Sequence, residues 1–384
     1  MTSDTHPQRM AILVGGGPAP GINGVIHSAT IEAINNGIEV IGIYDGFEHL
    51  MKGELVSTPL TIGAVSRIHL DGGSILRTSR ANPTRSTESL KKCVCTLAEA
   101  GVSLLLGIGG DDTAFSLYKV TQHACEDMEL AVRAVHVPKT IDNDLPLPEG
   151  IPTFGFETAR EVGTRIVMTF MEDALTSQTW FVVVTMGRKA GHLALGIGKS
   201  SGATLTIIPE EWRGRPIRLQ EVVDILVTSI LRRLVEGKHY GVALIAEGVL
   251  EYLAAEDSSY LEGIDQDPHG HVPLHDIAFS DILKRWVIKD LADLGVKMPV
   301  RDKELGYELR CAAPIAYDID YTRSLGEAAV DYLLKGGSNA TISLQGNQVV
   351  AIPSETIMDP NTGRTGVRMV NVDSFTYRSA YKFM

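Results

Sequence analysis

Ala134-Val135-His136-Val137-Pro138-Lys139-Thr140-Ile141-Asp142-Asn143-Asp144 runs from an apolar stretch straight into a lysine, a hydroxyl and two carboxylates. Its first four residues read as a buried strand, which leaves the acidic loop at the strand's carboxyl end. Open α/β sheets collect their ligands there. A carboxylate so placed can act as a base or a metal ligand, and a lysine beside it can hold an anion. The competing reading is an Asx-rich turn, because Asp and Asn satisfy loop backbone through local hydrogen bonds.

Working outward, the same grammar repeats. Residues 10–14, 40–44, 103–108, 134–137, 181–185, 203–208, 241–246 and 340–344 are short apolar runs that read as strands. Helix-like stretches separate several of them, at 24–35, 114–128, 159–175 and 220–236. Strands alternating with helices predict βαβ units, parallel sheets and right-handed crossovers, hence an α/β fold. A proline- and glycine-rich piece at 146–152 reads as a domain join. The polar stretch 254–273 reads as an insertion or surface loop, and no function is assigned to it.

Composition narrows the class. At 384 residues the chain has room for two or three domains, taking roughly 150 residues for each. A net charge of −12 argues against a nucleic-acid partner. No apolar run reaches the ~18 residues of a membrane span, and residues 1–10 are too polar for a secretory signal. The four cysteines, Cys93, Cys95, Cys125 and Cys311, lack zinc-site spacing and suit a reduced, cytoplasmic protein.

Other strand ends carry further chemistry. The first apolar run meets Gly15-Gly16-Gly17-Pro18-Ala19-Pro20-Gly21, whose glycines permit a tight turn and whose amides can face a phosphate. Asp45, at the end of the next run, mimics the ribose-binding acid of a Rossmann dinucleotide site, so an NAD(P) oxidoreductase is a competing reading. Pro20, however, replaces the third glycine of that fingerprint. Residues 191–200 end like a Walker A loop but have Leu193 where its first glycine belongs, which rules the motif out.

Gly109-Gly110-Asp111-Asp112-Thr113 follows a third strand; one aspartate suits a helix N-cap, and two make a magnesium site credible. Residues 72–80 add glycines, hydroxyls, Arg77 and Arg80. Met186-Gly187-Arg188 and Glu247-Gly248 close two later strands, and Arg301 and Arg310 flank Leu305-Gly306-Tyr307. Arginine forks match phosphate oxygens in pairs.

With GGGPAPG, GGDDT, PKTIDND, MGR and EG in this order, the chain resembles the phosphofructokinase family over residues 10–337 or so. The resemblance implies two Rossmann-like, three-layer α/β domains with mainly parallel sheets, facing each other across a cleft. It implies a phosphoryl-donor domain of residues 1–153 plus about 311–359, and a sugar-phosphate domain of 154–310 plus about 360–384. The implied reaction is magnesium-dependent phosphoryl transfer to the 1-hydroxyl of fructose 6-phosphate. Asp142 would be the base, Thr140 and Arg188 would meet the transferring phosphoryl group or the sugar, and Asp111 would help hold Mg2+. Gly16, Gly17, Arg80, Gly110, Asp112 and Lys139 would receive the donor. Asp144 would support Asp142, Met186 and Gly187 would form the sugar pocket, and Glu247 would bind its hydroxyls. Tyr307, Arg301 and Arg310 would meet the sugar phosphate, with Arg301 lent to a neighbouring subunit, so a homodimer or homotetramer is implied.

Departures from the family pattern sharpen this. ATP-using relatives usually carry glycine at the positions of Asp112 and Lys139. A carboxylate at 112 repels a nucleotide's α-phosphate, and an ammonium at 139 can pair with free pyrophosphate. In a partly screened site each charge about 4 Å away acts with about 4 kcal/mol before desolvation. The pair therefore resembles the pyrophosphate-dependent branch, with ATP as the alternative donor. His27, Ile31 and Met171 stand where regulated relatives have effector-binding arginines, which predicts a non-allosteric enzyme. Thr179 and Tyr307 replace an arginine and a histidine of many relatives, which leaves room for a phosphosugar such as sedoheptulose 7-phosphate.

Overall fold

Strand β1 (Arg9–Val14) sends Met10, Ile12 and Val14 into one hydrophobic layer and Ala11 and Leu13 into another, all fully buried. Side chains alternate along a strand, so a strand apolar on both sides must be covered on both faces. In this computed structural model, which describes residues 8–257, 274, 277–357 and 365–382, helices supply that cover. Most of the polar stretch 254–273 lies outside the described residues.

The remaining strands are β2 (Glu39–Ile43), β3 (Ser57–Leu60), β4 (Val102–Gly109), β5 (Arg133–Thr140) and β6 (Phe154–Gly155), followed by β7 (Trp180–Thr185) and β8 (Leu205–Ile207). Then come β9 (Gly241–Ala246), β10 (Val300–Leu305), β11 (Ala340–Gln345) and β12 (Gln348–Pro353). The eight apolar runs read as strands from sequence are all strands. The chain divides into two compact units: one of 1–141, 145–158 and 310–366, the other of 142–144, 159–309 and 367–384.

The first unit holds a sheet in the order β12-β11-β5-β4-β1-β2-β3, with β6 added alongside β5. All its pairings are parallel except those of the edge strands β3 and β12. Helices Ile22–Asn35 and Ala316–Leu334 cover one face, Thr87–Glu99 and Asp111–Glu126 the other. Gly21 and Gly24 let the first pair pack closely, since a Cβ on either would fall 2.7 or 2.2 Å from Thr322. From β1 the chain crosses to β2 on one side, and from β4 to β5 on the other. The carboxyl ends of β1 and β4 therefore border the topological switch point, where such sheets bind ligands.

Among its described residues the second unit has a sheet of four parallel strands in the order β10-β7-β9-β8. Trp180, Val182 and Val184 of β7 pack under helices Leu219–Val235 and Phe279–Asp293. On the opposite face Phe181 stacks on Phe170 of helix Phe156–Ser177, ring centres 5.4 Å apart. Connections leave β7 toward β8 and β9 toward β10 in opposite directions. The switch point here lies at the ends of β7 and β9. The α/β class with mainly parallel sheets, expected from sequence, is the observed one.

Candidate active site

In the first unit, β1 ends in the loop 15–17 at the switch point. Gly15 accepts no side chain: a Cβ there would lie 2.3 Å from the Thr113 hydroxyl, and one on Gly109 would lie 2.1 Å from it. Two glycines thus close around one buried threonine at the start of helix Asp111–Glu126. Gly16, at φ 79°, hydrogen-bonds through its N–H to the Ser79 carbonyl at 2.8 Å. This contact brings the segment carrying Arg80 beside the loop.

Two cations flank the same loop. The Lys139 side chain is almost wholly buried, and its Nζ donates to the Gly17 carbonyl. The Arg310 guanidinium carbon lies 3.6 Å from where a Cβ on Gly17 would stand. Arg310, expected with the sugar phosphate, belongs to the first unit. Asp111 and Asp112 open the helix after β4, and an Asp111 carboxylate oxygen caps the Asp112 N–H at 2.9 Å. A helix N-terminus stabilises negative charge, which keeps this carboxylate pair tolerable. Thr140 is the last residue of β5; its carbonyl is held by the Thr153 hydroxyl at 2.8 Å.

His136 orders these strand ends. Its Nε2 meets the Gly109 carbonyl at 2.8 Å, and its Nδ1 meets the Thr341 hydroxyl at 3.0 Å. A carbonyl only accepts, so Nε2 carries the proton and Nδ1 accepts. Complete burial lowers the imidazole pKa to about 4, with Asp111 opposing and Lys139 adding to the shift. One neutral ring therefore ties β4, β5 and β11 together just beneath the Gly109–Asp111 turn.

In the second unit, Met186, Gly187 and Arg188 follow β7. Gly187 has φ 131°, and its N–H donates to the buried Glu247 carboxylate at 3.2 Å. Its carbonyl accepts from Gly248 at 3.1 Å. Glu247 therefore shapes the loop as well as facing it. Met186 packs so tightly on Gly306 that a Cβ there would sit 2.7 Å from its terminal methyl. Arg188 pairs with Glu251 at 3.4 Å, and burial raises the Glu251 carboxyl despite that cation. Asp142, Asn143 and Asp144 belong to this unit and are half-buried. Tyr307 is 61% exposed just beyond β10.

Arg301 does not join this group. It pairs with Phe181 at the amino end of the sheet, whereas Met186 follows the carboxyl end. Four residues of strand separate those levels by about 13 Å. Its guanidinium instead lies over the Phe181 ring, 5.9 Å from the centroid. Among the described residues no cluster of three or more His, Cys, Asp or Glu side chains is arranged to hold a metal ion by itself.

The sequence model of the phosphofructokinase family matches residues 9–333. The chain belongs to the phosphofructokinase family. It is 52% identical over 383 residues to a pyrophosphate–fructose 6-phosphate 1-phosphotransferase of Thermotoga maritima, covering 98% of this chain and 90% of that protein. It is 47% identical to the enzyme of the same name from Naegleria fowleri, covering 98% and 87%. A solved pyrophosphate-dependent phosphofructokinase of Nitrosospira multiformis superposes with a TM-score of 0.74 at 18% identity, over 98% of this chain and 91% of that one.

Family membership leaves the dinucleotide reading without support, and so does Asp45 itself. Its carboxylate is 3.2 Å from Arg77 and 3.4 Å from His49, a structural ion-pair cluster beside the phosphofructokinase glycine loop. Residues 192–201 form a regular helix where a Walker A motif needs a phosphate-cradling loop, in keeping with its rejection. Among the described residues no helix is long and apolar enough to cross a membrane. Four residues around the phosphofructokinase motifs escaped the sequence reading: His136, His192, Glu251 and Arg368. A histidine inside a buried apolar strand was the one usable signal, because both ring nitrogens must then find partners.

Proposed function

We propose that the protein transfers a phosphoryl group reversibly from pyrophosphate to the 1-hydroxyl of fructose 6-phosphate. The products are fructose 1,6-bisphosphate and inorganic phosphate. One observation carries the reading: the Lys139 ammonium and the Arg310 guanidinium flank the glycine loop 15–17, at the switch point of the first sheet. Two cations beside partly buried loop backbone suit a compact polyanion, and Asp112 at the following helix start disfavours a longer nucleotide. The names of the two relatives at 52% and 47% identity agree with this donor.

Phosphoryl transfer asks a protein mainly for positioning and charge neutralisation. Gly16, Gly17, Arg80, Gly110, Asp112 and Lys139 hold pyrophosphate in this proposal. Asp142 takes the proton of the sugar 1-hydroxyl as the phosphorus–oxygen bond forms, and phosphate leaves. Thr140 and Arg188 stabilise the equatorial oxygens in flight. Met186, Gly187, Glu247 and Tyr307 orient the sugar, and Asp144 supports Asp142. Arg310, beside the loop 15–17, serves the phosphates.

Asp111 fits a magnesium ion that arrives with its substrate, because Mg2+ usually takes one or two protein carboxylates plus phosphates and water. Such an ion neutralises charge on the transferring group. Arg301, exposed and distant along β10 from its own Met186 loop, suits the site of a neighbouring subunit, so the proposed assembly is a homodimer or homotetramer. Absence of effector control fits His27, whose Nδ1 is engaged 2.8 Å from the Val65 carbonyl.

Exchanging Asp142 for asparagine or serine tests the reading. Turnover is expected to fall by about 10²–10⁴, with sugar binding retained in calorimetry. Unchanged turnover would remove Asp142 from the base role.

A further inference from the structure

We propose that Arg368, far outside the sequence motifs, is a positioning residue that holds Asp142 in place for proton removal. The inference rests on the base reading given above. Its ground is the hydrogen bonding of the two residues that follow Asp142. Asn143 stands at φ 57°, a left-handed conformation that asparagine tolerates better than most residues and that here is pinned by hydrogen bonds. Those bonds come from 225 residues later in the chain. Arg368 Nε and Nη2 donate to the Asn143 carbonyl at 3.1 and 3.0 Å. Nη2 also donates to the Asn143 side-chain oxygen. The Arg368 backbone N–H donates to the Asp144 carbonyl at 2.7 Å.

The clamp is itself anchored. His192 Nε2 donates to the Arg368 carbonyl at 2.9 Å. Burial lowers the His192 pKa to about 4, so the ring stays neutral and its tautomer is fixed by that bond. Two residues on, the Val370 N–H donates to Glu210 Oε1 at 2.9 Å, and the same oxygen accepts from Gly191 N–H at 2.9 Å. One short strip near the C-terminus thus ties residues 142–144 to the turn that follows Met186-Gly187-Arg188. Both tied segments carry groups assigned to the sugar side of the reaction. A planar guanidinium can bridge a carbonyl and a side-chain amide oxygen together, which a lysine ammonium on its flexible stem cannot reproduce.

The test is a double-mutant cycle on the full chain, with kcat and KM measured for pyrophosphate and fructose 6-phosphate. The variants are Arg368→Ala, Arg368→Lys, Asp142→Asn and the combination of Asp142→Asn with each Arg368 variant. Arg368→Ala should lower kcat about 10- to 100-fold, the size expected for misplacing a reacting group by about 1 Å. Both KM values should stay within about three-fold, and Arg368→Lys should recover little of kcat. In the Asp142→Asn background either Arg368 change should alter the residual rate less than about three-fold, because the group being positioned is gone. Equal losses in both backgrounds would assign Arg368 a merely structural role and overturn the inference. Should Arg368→Ala fail to fold by circular dichroism, the lysine variant carries the same comparison. Wild-type kcat in both Arg368 variants, with Asp142→Asn inactive, sinks this inference alone. Full turnover in Asp142→Asn sinks the base reading and the inference with it.

Discussion

Replacing His136 by leucine removes one ring that satisfies two groups in the sealed interior of the first unit. The Gly109 carbonyl and the Thr341 hydroxyl, at 2.8 and 3.0 Å from its nitrogens, would lose their partner. A buried polar group left unpaired costs about 1–3 kcal/mol, so the substitution should destabilise by about 2–6 kcal/mol at neutral pH. The size should depend on pH in a defined direction. The histidine titrates near its ordinary 6.5 when unfolded but at about 4 when folded. Between those values the unfolded chain binds more protons, so stability is lost as pH falls. The full effect is about 3 kcal/mol, of which about 2 kcal/mol is lost between pH 7 and pH 5. Leucine has no such titration. The penalty of His136→Leu should therefore be about 2 kcal/mol smaller at pH 5 than at pH 7. Urea melts followed by circular dichroism measure it. Tryptophan fluorescence serves as the control, since Trp180, Trp212 and Trp286 all lie in the second unit. Equal penalties at both pH values would refute the claim that burial keeps His136 neutral.

Gly109→Ala would set a methyl 2.1 Å from the Thr113 hydroxyl; overpacking of this kind costs about 1–3 kcal/mol and should raise the KM for pyrophosphate. Unchanged stability and KM would show that the turn has slack. Glu211, which accepts from the Tyr381 hydroxyl, is pushed up to about 7 by burial. The folded state then binds the extra proton, so this carboxylate withdraws stability as pH rises from about 4.5 to 7. Glu211→Gln should raise stability at pH 8 by about 1–2 kcal/mol, allowing for partial solvent screening, and leave it unaltered at pH 4. A thermal-melt pH profile parallel to that of the parent protein would contradict this. Changing Asp112 and Lys139 together to glycine should depress pyrophosphate-dependent turnover and admit ATP; a full pyrophosphate rate in that variant would show that donor choice resides elsewhere.

Interior strands were legible in the sequence because a strand buried on both faces must be a continuous apolar run. The edges were not. β10 reads Val-Arg-Asp-Lys-Glu-Leu, with only its first and last residues buried, and β3 contains Pro59 at an edge. Edge strands need little apolar surface and often carry charge, so no run announces β3 or β10. The glycine loop, the acidic helix start and Pro138–Asp144 were visible because their chemistry is local in sequence. The turn reading of that last stretch holds: Asn143 forms the left-handed turn that Asx residues favour, and Asp142, the proposed base, directly precedes it. What no local window could reveal is Arg368. Its meaning comes from partners 225 and 176 residues away.

The central claim is the donor. Initial rates of fructose 1,6-bisphosphate formation, measured on purified protein with magnesium and either pyrophosphate or ATP, test it most directly. Robust turnover with pyrophosphate and little or none with ATP is the expected result. Robust ATP turnover without pyrophosphate activity would contradict the account of Lys139 and Asp112.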